Sequence, residues 1–265
     1  MKIREIIGAL EQFAPLSLQD SYDNAGLQIG LTEDADVSGA LLCLDVTEEV
    51  IEEAARRGCN LVVSHHPLLF HAPKQITGAD FVQRCIIKAI QRGIWIYSAH
   101  TNLDNAPCGV SYRMAEKIGL QDVKPLCPLE GKMVNGEVAG AGVIGQFQAP
   151  MEREDFIAHI KERFDVGSVR YNSWEGEKIQ TVALCGGAGA FLIPQAVAAG
   201  ADVFITGEIG YHHFFGFEHS IQLLEIGHYE SEQYTLEILR EIISKAAPEI
   251  PIFNTEIETN PINYL

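Results

Sequence analysis

The sequence predicts an α/β protein built as two similar three-layer α/β/α domains with mainly parallel sheets. Two observations carry this prediction. Short apolar runs alternate with stretches of helical period, the rhythm of a parallel sheet covered on both faces by helices. The second half of the chain also repeats part of the first: aligning Gly200 on Gly58 superposes GADVFITGE on GCNLVVSHH, and the same offset lays TVALCGGAG over GALLCLDVT without a gap. An internal duplication accounts for this repeat, and so does the general likeness of any two βαβ units.

Element by element, an amphipathic helix opens the chain and ends near Pro15. Gly39 to Val46 reads as a buried strand, Glu48 to Arg57 as a helix, and Leu61 to Ser64 as a second buried strand running into His65-His66-Pro67. A helix follows over residues 80–92 by its apolar spacing, then the strand Ile94 to Tyr97 and a helix ending near Gly119. The Pro- and Gly-rich stretch from Pro125 to Gly136 reads as a linker. After the repeated unit, a strand is expected at Ile221 to Ile226, a helix from about Tyr229 to Lys245, and an edge-like end, PEIPIFNTEIETNPINYL.

Composition narrows the function classes. The 265 residues are 47% hydrophobic and 8% aromatic, enough to bury a sizeable core, which excludes disordered, collagen-like and coiled-coil readings. Lys and Arg number 19 against 36 Asp and Glu, for a net charge of −17, and they form no cluster. Non-specific nucleic-acid binding is therefore disfavoured. No apolar run approaches the roughly 18 residues of a spanning helix, and the N-terminus lacks a signal-peptide core, so a cytoplasmic protein with no membrane partner is expected. Cys43, Cys59, Cys85, Cys108, Cys127 and Cys185 are scattered and form no CxxC, which indicates neither a disulfide framework nor a thiolate zinc site.

In open parallel sheets ligands bind beyond the carboxyl ends of the strands. Here those positions carry SHHP, SAHTNLD, TGE and GHYESE, so four strand ends deliver histidines or carboxylates. Adjacent residues leaving a strand point in opposite directions, so His65 and His66 suit two neighbouring ions better than one. Alternatively, one caps the strand and the other is a surface residue. His100 and His228 each follow a strand and a small residue, and each is trailed four residues later by a carboxylate, Asp104 and Glu232. On a helix His228 and Glu232 share a face, whereas Glu230 points off it. Solvated helix faces, and an Asx turn at Asp104, are the plainer readings of these pairs.

Together His65, His66, Asp104, His228 and Glu232 make a nitrogen-and-oxygen set from separate segments, fitted to two divalent ions among which zinc, iron, manganese and nickel are not distinguished. Glu232 is the best bridging candidate, and a water shared by two such ions would ionise near neutral pH and become a nucleophile. His100 is the candidate either to support a ligand from behind or to transfer a proton. Because the ligands come from both ends of the chain, the expected metal-site domain is 1–124 plus 221–265, and the second domain is 125–220. Gly186 to Gly189 is either an anion cradle or a site of close helix-strand packing. Glu208, His212 and His213 line a cleft, make a subunit contact, or form a local hydrogen bond. Phe214, Phe215 and Phe217 belong either to the core or to a subunit interface.

The elements DNAGLQIG, LCLDVTEEVIEEA, VVSHHPLLF, SAHTNLD, CGGAG, ADVFITGEIGYHHFF and GHYESE together resemble the GTP cyclohydrolase I type 2 homologue family, the Nif-three-like dinuclear-metal proteins. The resemblance runs nearly end to end. It implies two similar α/β domains, a dinuclear metal centre held by the same five residues, and a ring-shaped homohexamer. It also implies hydrolysis of a small substrate, a nucleotide-like or cyclic amide-type compound attacked by metal-bound hydroxide. A two-metal phosphoesterase and a non-catalytic metal-binding scaffold are the alternatives. Tyr22 stands where the family pattern has Trp, Glu208 stands where it more often has Asp, and the chain is too short for the extra central domain of longer members.

Overall fold

A computed structural model of the chain describes residues 1–30, 32 and 35–264. Leu265, the last residue of the edge-like C-terminal stretch, lies outside the described residues. In chain order the first elements are α1 (Ile3–Phe13), β1 (Gly26–Ile29), β2 (Ala40–Cys43), α2 (Glu48–Arg56), β3 (Leu61–Ser64), α3 (Phe81–Arg92) and β4 (Trp95–Ser98). Next come α4 (Thr101–Asp104), α5 (Val110–Ile118), β5 (Gln121–Val134), β6 (Glu137–Glu152), α6 (Arg153–Phe164) and β7 (Arg170–Tyr171). The rest comprises β8 (Lys178–Cys185), α7 (Ile193–Ala198), β9 (Val203–Thr206), β10 (Gln222–Glu225), α8 (His228–Glu232), α9 (Thr235–Ala246) and β11 (Ile252–Asn254). Among the described residues no helix is long and apolar enough to cross a membrane.

The chain divides into two compact units, Met1–Leu103 with Thr235–Pro261, and Asp104–Tyr234 with Ile262–Leu265. In the first, the sheet order is β1-β4-β3-β2-β11, parallel except where β1 meets β4. Strands β2, β3 and β4 are buried at every position, as both faces of a sheet must be when helices cover each. Local chemistry sets the covering helices. Thr47 Oγ1 accepts from Val50 N at 3.1 Å to start α2, whose first turn carries Glu48 and Glu49 and whose last carries Arg56. Asp80 does the same for α3 through Gln83 N at 2.9 Å, and Gly93 ends that helix in a left-handed turn.

The second unit has a six-stranded sheet, β5-β6-β8-β9-β10-β7, in which β8, β9 and β10 run parallel and the remaining pairs are antiparallel. Alternate residues feed two cores. Val182, Leu184, Val203, Ile205 and Leu224 pack with Phe156, Ile160 and Phe164 of α6, whereas Ala183, Phe204 and Leu223 pack with Ile193 and Ala196 of α7. This is again a sheet with helices on both faces.

The repeat seen in sequence is a repeat in register. β2 pairs with β3 from Ala40↔Leu61 to Cys43↔Ser64, and β8 pairs with β9 from Val182↔Val203 to Cys185↔Thr206. These are the residues that the Gly58-to-Gly200 alignment superposes. The expected linker at residues 125–136 is instead most of β5 and the turn to β6. Asn135 and Gly136 both have positive φ, 52° and 87°, the signature of a tight hairpin turn. Pro125 and Pro128 are tolerated because β5 is an edge strand, where a missing N–H breaks no inner ladder. The helix expected over 229–245 is also interrupted, because Gln233 and Tyr234 turn to bond the carbonyls of Phe164 and Arg163 before α9 begins.

Glu53 of α2 ties the C-terminal strand region to the first unit. Its carboxylate, 2% exposed, accepts from Thr255 Oγ1, Glu256 N and Arg57 Nε. Burial pushes the Glu53 carboxyl up, but these hydrogen bonds outweigh it and hold it below the usual range. A lowered carboxylate stabilises the fold above its unfolded value and loses that contribution as pH falls through its folded one. Glu53→Gln is therefore expected to cost roughly 2–3 kcal/mol at neutral pH, with the gap to wild type closing on acidification. Urea titrations at neutral and acidic pH that return the same gap contradict this account.

Candidate metal centre

In the first unit the site grows from the carboxyl ends of three parallel strands. His65 and His66 leave β3 while still in the ladder, their N–H groups donating to Cys43 O at 3.1 Å and Leu44 O at 2.9 Å. Ser64 Oγ donates to His66 O at 2.9 Å, which bends the chain ahead of Pro67. The bend changes what the pair can do. The two rings do not diverge: their centroids are 4.9 Å apart, and the His100 ring, arriving from beyond β4, lies 5.3 Å from His65 and 5.5 Å from His66. One ring nitrogen from each of the three falls within 4.8 Å of the others.

Each ring is held from behind. His65, fully buried, has Nδ1 at 2.8 Å from Ala99 O. A carbonyl can only accept, so Nδ1 carries the proton and the lone pair of the neutral ring is on Nε2. His66 Nδ1 donates to Asp45 Oδ1 at 2.8 Å, and His100 Nδ1 donates to Asp23 Oδ1 at 2.8 Å. Burial pushes the Asp23 carboxyl up, yet hydrogen bonds from His100 and Thr101 prevail and bring it down to about 2. Asp23 is thus an anion behind His100. Carboxylates and carbonyls behind the Nδ1 of histidines are the arrangement that fixes a metal-binding ring.

In the second unit His228 opens α8 after Gly227, and the predicted i, i+4 pair forms: His228 Nε2 is 3.1 Å from Glu232 Oε2. His228 Nδ1 donates to Glu208 Oε1 at 2.7 Å, so Glu208 plays the local hydrogen-bonding part among its expected roles. Glu232 is 3% exposed. His228 Nε2 thus faces a buried carboxylate, and either a proton or a cation between them offsets its charge. Asp104 is the last residue of α4, a helical position in place of an Asx turn. Glu230 folds back over Gly227, off the His228 face.

The glycine run after β8 serves the glutamate. A Cβ on Gly187, whose φ is +60°, would fall 2.3 Å from Glu232 Oε1, so any side chain there would expel the carboxylate. Two amides of this loop are engaged within the protein, Gly187 N donating to Ser231 Oγ and Gly189 N to Thr206 Oγ1, both at 2.9 Å. These two amides are thereby withdrawn from the anion cradle, and the volume at Gly187 fits the close-packing alternative. His212 and His213 lie exposed in the 3-10 turn Tyr211–Phe214. Phe214 and Phe217 pack on the core, while Phe215 is 59% exposed. Asp23, Asp45 and the function of Gly187 escaped the sequence reading. Asp45 was the most findable, since it stands two residues past a buried strand end.

A profile of the family described as Duf34/NIF3 (NGG1p interacting factor 3) matches residues 1–261. A Clostridium acetobutylicum protein named GTP cyclohydrolase 1 type 2 homolog is 33% identical over 258 residues, covering 97% of this chain and 94% of the relative. A Clostridium perfringens protein of the same name is 35% identical over 235 residues, covering 88% and 87%. The crystal structure of Staphylococcus aureus protein SA1388 superposes with a TM-score of 0.89 at 30% identity, covering 100% of this chain and 99% of the other.

Substituting His66 and Glu232 together tests the expected ligand assignment. The double variant His66→Ala with Glu232→Ala is expected to lose stoichiometric metal by elemental analysis while its far-ultraviolet circular dichroism stays near that of the wild type. Two retained equivalents of metal would contradict the assignment.

Proposed function

The chain belongs to the Duf34/NIF3 family, and from that premise we propose that it is a dinuclear-metal-dependent hydrolase of the GTP cyclohydrolase 1 type 2 homolog kind. In this reading His65, His66, Asp104, His228 and Glu232 hold two divalent ions of the zinc, iron, manganese or nickel class. The observation that carries it is the repeated anchoring of imidazoles: His65, His66 and His228 all place Nδ1 against an oxygen and turn Nε2 away from it. The donor set also fits the group, since imidazoles with carboxylates suit borderline transition ions better than magnesium or calcium.

The chain's own residues do the positioning. Asp45 and Glu208 fix the tautomer and ring orientation of His66 and His228, and Gly187 leaves the volume that Glu232 occupies. When bound, two such ions supply Lewis acidity and a water acidic enough to attack near neutral pH. The proposed substrate is a small nucleotide-like or cyclic amide-type compound, a choice supported by the name the relatives carry. The proposed assembly is a homohexamer.

Two measurements check this reading. Metal-loaded protein assayed against GTP, a panel of cyclic amides and a panel of phosphoesters is expected to turn over one of the cyclic compounds, and Glu232→Ala to abolish that turnover. Turnover of phosphoesters alone would favour the phosphoesterase, and a metal-loaded protein inert to all of them would favour the scaffold. Light scattering at micromolar concentration is expected to return six times the 29.1 kDa chain mass, and a monomer mass would refute the hexamer.

A further inference from the structure

A cleft in the second unit has no part in the ligand set described above. Its volume is about 520 Å³, within the range of small-molecule sites, and its lining comes from two segments, 169–173 and 211–218. Three large aromatic side chains that line it stand in solvent: Tyr171 is 55% exposed, Tyr211 67% and Phe215 59%. The ring centroids of Tyr211 and Phe215 are 5.5 Å apart, with the rings at 69° to each other. Although these rings are exposed, the backbone beneath them is fixed. Glu225 ties the two segments together, accepting from Arg170 Nη1 at 2.8 Å and 3.0 Å and from Ile209 N at 2.7 Å. Buried Asn172 holds the first segment to β10, its Oδ1 accepting from Leu223 N at 2.7 Å and from Gln222 Nε2 at 2.8 Å. Phe214 packs on a core of the unit, and the Arg170 guanidinium lies 5.2 Å from the centre of its ring. We propose that this cleft binds a planar heteroaromatic ring of the nucleobase class, with Tyr171, Tyr211 and Phe215 supplying the stacking faces and Glu218 accepting from the N–H groups of the ring.

Charge decides which part of a nucleotide fits. Arg170 is already paired with Glu225. Glu218 is partly buried, and the one bond to its carboxylate among the described residues is a long one, 3.4 Å from Gly216 N to Oε1. A cleft with a paired guanidinium and an unsatisfied carboxylate repels phosphates and attracts ring N–H donors. A guanine edge presents a ring N–H and an amino group side by side, so both can donate to one carboxylate, whereas adenine sets its amino group beside an acceptor nitrogen. A flat subunit contact would cover the rings without filling a concave volume or using the lone pairs of Glu218. Position supports the same choice: the loop that carries Tyr211 also carries Glu208, the residue bonded to His228 Nδ1, and Glu225 fixes that loop at the intervening Ile209.

The proposal deepens the nucleotide-like reading of the substrate and rests on it for the choice of a nucleobase, so its test is one of binding without metal. Isothermal titration calorimetry of the full chain in the presence of a chelator, with guanosine, adenosine and ribose as probes, is expected to show guanosine binding more tightly than adenosine and ribose not binding. Tyr211→Ala is expected to weaken guanosine binding by about tenfold, the usual order of effect of losing a stacking face. Glu218→Gln is expected to bring guanosine down to the level of adenosine. Tyr211→Leu, which keeps an apolar side chain but no ring, replaces Tyr211→Ala if circular dichroism shows a folding defect. Guanosine that does not bind, or that binds the wild type and both variants equally, overturns the proposal, and overturns it alone if metal-loaded protein still turns over a cyclic compound. A lower mass by light scattering for Tyr211→Ala, with no guanosine bound by the wild type, gives the rings to a subunit contact and also overturns it. Guanosine binding that both variants weaken upholds the proposal even where metal-loaded protein is inert to every compound, a result that sinks the hydrolase reading only.

Discussion

A histidine at the end of a strand serves as a metal ligand only if its ring is prevented from turning, and here four rings are each held by one bond from Nδ1 to an oxygen. Much of the architecture follows from supplying those oxygens. Ala99 O comes from the residue after β4, Asp45 from beyond β2, and Asp23 from the segment before β1. Parallel strands of matched length bring their carboxyl ends to one edge, and the register from Ala40↔Leu61 to Cys43↔Ser64 continues into the ladder bonds that seat His65 and His66. A slip of one residue would exchange the faces of every side chain beyond β3 and separate each ring from its acceptor.

The two units use one βαβ frame for different chemistry. The offset that aligns Gly200 on Gly58 lays Glu208 over His66 and Gly187 over Asp45. In the first unit the later strand supplies the imidazole and the earlier one its acid. In the second, the strand equivalent to the imidazole's supplies the acid, Glu208, and the histidine arrives from β10. The position of Asp45 is taken by a glycine because the carboxylate of Glu232 needs that volume. The backbone frame recurs, while acid, imidazole and empty space have changed places upon it.

How much of this was legible depended on the range of the interaction. The βαβ rhythm, the limits of α2 and α3 and the gathering of polar residues at strand ends follow from local periodicity and capping, and they were readable. The hairpin of β5 and β6 was misread because Pro125 and Pro128 argue against a strand, and only the sheet order shows that β5 is an edge, where proline costs little. The Asn135-Gly136 pair was the local clue that should have outweighed them. Asp23 was hidden for another reason: it lies far from His100 in sequence, and no pattern within a window links a carboxylate to a ring that distant. The convergence of His65 and His66 was likewise unreadable, since alternation along a strand predicts divergence and the bend made by Ser64 Oγ overrides it.

Such a site carries a cost in the absence of a cation. Glu232 is buried with its carboxylate 3.1 Å from a ring nitrogen whose partner nitrogen has already given its proton to Glu208. Asp23 is held ionised with its side chain closed off from solvent. Buried charge of one sign destabilises a fold unless something of the opposite sign offsets it, and either an added proton on the rings or a divalent cation can do so. The proton supplies one charge and blocks the lone pair, whereas the cation supplies two and uses several lone pairs at once. The carboxylates that orient the rings thus favour positive charge beside them, whether protons supply it or, in the proposed reading, metal ions do. In the proposed metal reading, rigidity of the rings and affinity for a cation are one property, set by the oxygen atoms behind Nδ1.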